Sequence, residues 1–85
     1  MRAIIKGAFA ITGRGTSIAV DLTEGGIKAG DNIKCPMRTG ECRTLLVAGV
    51  EFSDSIRRQE SRLALTVGAV VPEDIVIDGE IVGEQ

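Results

Sequence analysis

Apolar and polar residues alternate with a period of two along most of this chain, which is the pattern of half-buried β-strands. In the clearest run, Ile18, Val20 and Leu22 are predicted to face the core. Ser17 and Asp21 lie between them and are predicted to face outward. No window of a dozen residues keeps a helical period. The pattern therefore predicts an all-β protein.

Three further runs place their apolar residues on one predicted face of a strand. Glycine-containing breaks recur about every ten residues, and several short strands at that spacing indicate a barrel or sandwich. We predict one domain over 1–85, a small closed or nearly closed antiparallel β-barrel of about six strands. The three apolar sets are Ile5, Phe9 and Ile11; Leu46, Ala48, Val50 and Phe52; and Leu63, Leu65 and Val67.

Turn residues predict where several strands end. Pro36 lacks a ladder donor, so a strand is expected to end there or to lie at an edge. The segment 38–41 is the expected tip of the next hairpin, and 53–61 is expected to be a polar loop. Taken alone, Asp78 and Gly79 predict a two-residue hairpin.

Composition narrows the picture in two ways. Only 2% of the 85 residues are aromatic, so the core must be aliphatic, and the two rings, Phe9 and Phe52, are expected to be partly buried. The net charge of −2 gives no overall attraction to nucleic acid or to acidic membranes. All ten Lys and Arg residues nevertheless lie between Arg2 and Arg62, and only acids follow them. A local basic face therefore remains compatible with the acidic total.

The chain offers little material for catalysis or metal binding. It contains no histidine, the commonest general base, and only two cysteines, Cys35 and Cys42. A zinc site needs four ligands, so we expect no metal. Because the commonest general base is missing, we also expect no enzymatic activity and no cofactor. The cysteines flank a predicted hairpin and, depending on register, either face each other as a possible disulfide or remain reduced. No signal peptide or membrane-length apolar run is visible, which predicts a cytoplasmic protein without membrane contact.

Five segments between Ile4 and Val82 resemble, in order and spacing, the second-domain β-barrel of translational GTPases such as elongation factor Tu. Here the barrel stands alone, because the chain has no G-x-x-x-x-G-K-[ST] phosphate loop of a GTPase domain. The segments are F-A-I-T-G-R-G-T at Phe9–Thr16, G-I-K-A-G-D-N-I at Gly26–Ile33, V-A-G-V-E-F at Val47–Phe52, A-L-T-V at Ala64–Val67, and Asp74-Ile75 followed by Gly79–Ile81. The last segment gives Asp78 and Gly79 a second interpretation, because the resemblance implies a short turn after Asp74-Ile75 and then a last strand.

The resemblance implies a non-catalytic module that binds tRNA, ribosomal RNA or a ribosome-associated partner. Phe9 matches the family's strand phenylalanine, and Glu51 matches the acid that in elongation factor Tu lies against the terminal adenosine of tRNA. Lys6 and Gly7 stand where elongation factor Tu has acidic residues of its aminoacyl pocket. The alternative is a protein-interaction or self-associating barrel that docks on a separate enzyme or GTPase.

Four arginines complete the candidate site, and each has a simpler interpretation. Arg14 lies between two turn glycines, where it either contacts a phosphate or carboxylate or is simply exposed. Arg57, Arg58 and Arg62 either form a basic patch for RNA or belong to a solvated loop paired with nearby acids. The predicted RNA- or partner-binding residues are Phe9, Arg14, Glu51, Arg57, Arg58 and Arg62.

Overall fold

The computed structural model describes residues 1–13, 15–51, 62–68 and 70–84 of the chain. Arg14, Phe52 and the predicted loop at 53–61, with Arg57 and Arg58, lie outside these residues. A short 3-10 helix, Pro72–Asp74, precedes the last strand. The strands are β1 (Arg2–Ile11), β2 (Gly15–Glu24), β3 (Asn32–Pro36), β4 (Cys42–Glu51), β5 (Arg62–Val67) and β6 (Glu80–Glu84).

The six strands form a closed barrel in the order β1-β2-β5-β4-β3-β6, and every neighbouring pair is antiparallel. The last strand closes the barrel because β6 pairs with β1 on one side and with β3 on the other. This confirms the predicted all-β barrel. β3 ends at Pro36, and the hairpin tip at 38–41 is closed by a bond from the Met37 N–H to the Glu41 carbonyl (2.8 Å), as the sequence indicates.

The core inside the barrel is aliphatic, and no aromatic side chain belongs to it among the described residues. β2 and β5 alternate as predicted: Ile18, Val20, Leu65 and Val67 are fully buried. Leu22 is only partly buried and packs against the edge of the core. Burial of branched aliphatic side chains from all six strands therefore holds the barrel together.

Three register shifts interrupt the strand pairing, and one of them, between Arg2 and Ala3, leaves Thr23 of β2 as an extra residue. The other two are β-bulges at Lys6 in β1 and Ala48 in β4, which change the alternation of these strands. In β1, Ile5 pairs with Val20 but Gly7 pairs with Ala19, so Lys6 is an extra residue. Beyond it, the outward and inward positions exchange. The predicted common face of Ile5, Phe9 and Ile11 is therefore wrong, because Ile5 is fully buried whereas Phe9 is 61% exposed. The expected partial burial of Phe9 is wrong for the same reason.

The bulge in β4 has the same effect on the second predicted face. Val47 pairs with Val67 and Gly49 with Thr66, which leaves Ala48 as the extra residue. Before the bulge, Leu45 and Val47 point into the core and Leu46 is 58% exposed. After it, Val50 packs against the core. The prediction that Leu46 and Val50 share one face is therefore wrong.

The segment between β5 and β6 crosses one end of the barrel. The buried Thr16 hydroxyl donates a hydrogen bond to the Val70 carbonyl (2.7 Å), and Ile75 forms a bridge with Met37. The Asp78 N–H then donates to the Ile5 carbonyl (2.7 Å) before β6 begins. Of the two interpretations of Asp78 and Gly79, the structure shows the short turn into the last strand.

The turn between β1 and β2 requires glycine at Gly15. Its φ of 101° lies in the left-handed region, and a Cβ at this position would lie 2.5 Å from the Val67 carbonyl oxygen. Gly13 has a φ of 75° but open space around it. The turn interpretation of the two glycines is therefore confirmed, and close packing of β2 against β5 adds a second requirement at Gly15.

We expect Gly15→Ala to lower the free energy of unfolding by more than about 1 kcal/mol, because both the backbone conformation and the Val67 carbonyl oppose a Cβ. Gly26→Ala is the matched control, since a Cβ there meets nothing within 4 Å and the φ is not positive. That variant should keep or slightly raise stability. Urea unfolding measures both, and equal transition midpoints for the two variants would contradict this account.

Candidate binding surface

On the outside of β1, β2, β5 and β4, two neighbouring rows of residues consist mostly of small, uncharged side chains. One row across these strands runs from Phe9 through Ser17 and Thr66 to Gly49, each paired with the next in the strand register. Their inward neighbours, such as Ile18 and Leu65, are fully buried, so the members of the row face solvent.

The adjacent row runs from Gly7 through Ala19 and Ala64 to Glu51. Both rows lie beyond the two bulges, which therefore turn Phe9 and Glu51 outward on the same side of the sheet. We call this surface the small-residue face. It consists of Gly7, Ser17, Ala19, Gly49, Ala64 and Thr66, with Phe9 at one edge and Glu51 at the other.

The Phe9 ring reaches over Gly7 at the edge of the small-residue face. A Cβ at Gly7 would lie 3.2 Å from Cζ of the Phe9 ring and 3.9 Å from Cβ of Ala19. The absence of a side chain at Gly7 therefore leaves room for the ring. Because Phe9 is 61% exposed, most of the side chain is open to a ligand.

Glu51 borders an open cleft of about 350 Å³. Ala48, Gly49 and Thr66 line the same cleft, together with Ile11 at the end of β1. The bulge at Ala48 and the missing side chain at Gly49 create the depression beside β5. Because β1 and β4 are three steps apart around the closed barrel, Phe9 and Glu51 lie at the two ends of the small-residue face.

Arg62 continues the face by one more row. It pairs in register with Asp21, in the row that follows Ala19 and Ala64, so opposite charges meet across β2 and β5. The Nε of Arg62 is buried and has no hydrogen-bond partner among the described residues. The structure thus places Phe9, Glu51 and Arg62 on the outside of the neighbouring strands β1, β2, β5 and β4, while the other predicted site residues, Arg14, Arg57 and Arg58, lie outside the described residues.

The small side chains between the predicted site residues were not predicted. Ser17 was expected outward, but only as a polar surface residue. The signal lies in the outward positions of β2 and β5, where Ser17, Ala19, Ala64 and Thr66 replace the long charged residues usual on an exposed sheet. A half-buried strand face without long side chains leaves room for close approach to the backbone.

A second open cleft, of about 390 Å³, lies along the first half of β4. Two leucines lie in its wall, of which Leu45 is buried and Leu46 is 58% exposed. Val71 and Ile77 are further exposed apolar residues of the barrel, at 50% and 45%. The cleft is lined by Arg43, Thr44, Leu45, Leu46, Ala48 and Gly68.

Both cysteines are free thiols in different environments. Pro36 pairs with Cys42, and Cys35 pairs with Arg43, so the cysteines do not face each other across the hairpin. Cys35 is buried and Cys42 exposed. Burial, with a smaller contribution from Cys42, raises the pKa of the Cys35 thiol from 9.0 to about 11.

Two features are absent from the described part of the chain, a group of side chains that could hold a metal ion and a helix that could cross a membrane. Within residues 1–13, 15–51, 62–68 and 70–84, no group of three His, Cys, Asp or Glu side chains lies close enough to hold a metal ion. No helix in the same residues is long and apolar enough to cross a membrane.

Comparison with known proteins identified no relative of this chain. No protein-family model, characterised protein or solved structure matches the chain. The functional argument therefore depends on the surface itself.

The thiols should react at very different rates. At pH 8 we expect a thiol-disulfide reagent to modify Cys42 and to leave Cys35 unmodified, because the pKa of about 11 keeps Cys35 protonated and burial blocks access. Denaturant should expose the second thiol. The control Cys42→Ser should abolish reaction of the folded protein. Equal rates for both thiols in the folded chain would contradict the placement of Cys35.

Proposed function

We propose that this protein is a non-catalytic binding module, similar to the RNA-contacting barrel of translation elongation factors, and that its small-residue face binds RNA. One observation carries the proposal. Phe9, Glu51 and Arg62, three of the residues that the sequence singled out, lie on the outside of four neighbouring strands and border a set of very small side chains. Their placement supplies three different contacts along a short single-stranded RNA end.

The exposed ring of Phe9 is the stacking element. A base can stack on an aromatic face with a contribution of about 1–3 kcal/mol, whatever its identity. The flat surface made by Gly7, Ala19 and Ala64 then lets the sugar and the next base approach the sheet closely. With only one described aromatic ring, the surface fits one or two nucleotides of a single-stranded end better than a long single strand.

Glu51 is an acceptor and therefore favours the sugar or the edge of a base. Its carboxylate can accept hydrogen bonds from the 2′-hydroxyl of ribose, which is the group that distinguishes RNA from DNA. It repels phosphates, so the phosphate backbone is expected to pass Arg62 and not the Glu51 edge. The sequence places two more arginines, Arg57 and Arg58, before Arg62, where they would add to this attraction.

A second candidate function is protein docking. The observation that favours it is the cleft beside Leu46, where an apolar side chain is 58% exposed next to open volume. A protein partner would bury Leu46, and its binding would be insensitive to salt. Binding of RNA through the small-residue face should instead weaken as the salt concentration rises.

Filling the small-residue face should weaken RNA binding. We expect Ala64→Leu to raise the dissociation constant for 3′-labelled bulk tRNA about tenfold, equivalent to about 1.4 kcal/mol, because the larger side chain holds the nucleotide off the sheet. Ala29→Leu, in an exposed turn away from the face, is the matched control and should bind as the wild type does. Fluorescence anisotropy at low salt measures both variants.

The arginines should set the salt dependence of the same binding. The double variant Arg57→Glu/Arg58→Glu should abolish tRNA retention at low salt, and the wild-type affinity should fall steeply as salt rises. Circular dichroism checks that each variant is folded. Unchanged retention in the double variant, or equal affinities for Ala64→Leu and the wild type, would contradict the RNA proposal. Salt-resistant capture that Leu46→Lys abolishes would instead favour the protein-docking function.

A further inference from the structure

The second half of β1 has a neighbouring strand on only one side. β2 pairs with the whole of β1, but β6 pairs only with Arg2–Ile4 on the opposite edge. Ile5 bonds there to Asp78 and Gly79, after which the chain turns away. In the described part of the chain, nothing pairs with Gly7–Ile11 on the side opposite β2. We call this segment the free edge.

The free edge carries no charge and no proline, two features that normally block strand pairing. Exposed edges are usually protected by charges, prolines or an inward-pointing Lys. Gly7–Ile11 reads G-A-F-A-I and contains no charged residue and no proline. The nearest charge, Lys6, is held at the bulge, where its Nζ lies 3.8 Å from the Asp78 carboxylate. The edge therefore presents unpaired backbone groups beside an exposed Phe9, which is a template for another strand.

We propose that the occupant is a second copy of this chain, paired antiparallel through the same free edge about a two-fold axis at Phe9. Adjacent residues of a strand direct their N–H and C=O groups to opposite edges, so two identical strands can pair only in registers centred on a residue. Centring on Phe9 pairs all five residues of the free edge. It places Gly7 opposite Ile11, Ala8 opposite Ala10, and Phe9 opposite Phe9 of the second copy.

The side chains of the free edge fit this register. The large Ile11 of one copy lies opposite Gly7 of the other, which has no side chain, and can contact the Phe9 ring that lies over Gly7. Lys6 lies opposite Thr12, so no like charges meet. A register centred on Ala8 would instead place Ile11 opposite Ile5, whose backbone is already bonded to Asp78 and Gly79. Centring on Ala10 would pair only three of the five residues with one another.

The resulting dimer is expected to be weak. Stable protein interfaces bury about 1,600 Å² in total, and pairing of two five-residue edges with one exposed ring each falls below that size. The dimer should therefore dissociate on dilution. It keeps the two small-residue faces on the same side of a continuous sheet, because the two-fold axis runs perpendicular to that sheet. The inference stands apart from the RNA proposal, since it rests on backbone pairing and needs no ligand.

A charge exchange at Phe9 tests both the dimer and its register. In sedimentation equilibrium of the full chain, without RNA and under reducing conditions, the wild type should show a reversible monomer–dimer equilibrium. Phe9→Lys and Phe9→Glu should each shift it at least tenfold toward monomer, because like charges then meet at the axis. An equimolar mixture of the two variants should restore the dimer, since Lys then faces Glu. Leu46→Lys, which removes another exposed apolar side chain, is the control and should dimerise like the wild type.

Three outcomes would overturn the proposal. They are a wild type that remains monomeric up to millimolar concentration, a Phe9→Lys variant that dimerises normally, and a mixture of the two charged variants that stays monomeric. Circular dichroism confirms that the variants fold, which is expected because Phe9 contributes nothing to the core. Failure here would leave tRNA binding by the wild type unaffected, so the two proposals fail separately.

Discussion

The outward direction of Phe9 and Glu51 depends on the two bulges at Lys6 and Ala48. A closed barrel of six strands fixes the buried residues, because one register slip would turn a whole strand inside out. One extra residue in β1 and one in β4 exchange inside and outside within a strand without breaking the barrel. Beyond the bulges, Ala8 and Val50 still pack against the core, while Phe9 and Glu51 point to solvent.

The two proposals share this surface, and Phe9 belongs to both. Its ring lies at the edge of the small-residue face and at the proposed dimer axis. Edge-to-edge pairing would join two small-residue faces into one surface, with the Phe9 rings side by side at its centre. An RNA end bound to one copy would then lie beside the equivalent site of the other. Dimerisation and RNA binding are therefore expected to influence each other, because both determine how much of the ring remains exposed.

The fold was predictable from the sequence to a large extent, and the surface only in part. β2 and β5 have no bulge between Thr16 and Asp21 or between Arg62 and Val67, so their period-two pattern predicted the buried Ile18 and Leu65. In β1 and β4 the same pattern predicted the wrong faces, because the order of apolar and polar residues does not reveal where a bulge lies. Phe9 and Glu51 came from a family resemblance, whereas the free edge of β1 depends on where β6 begins and has no signal in the sequence.

The central claim is that RNA binds the outward face of β1, β2, β5 and β4. Amide chemical shifts of isotope-labelled protein, followed by NMR during titration with bulk tRNA, test it most directly. The account predicts that the largest changes map to Phe9, Ala19, Ala64 and Glu51, while Lys34 and Val82 on the opposite strands remain unchanged. Changes concentrated on β3 and β6, or no changes at low salt, would contradict it.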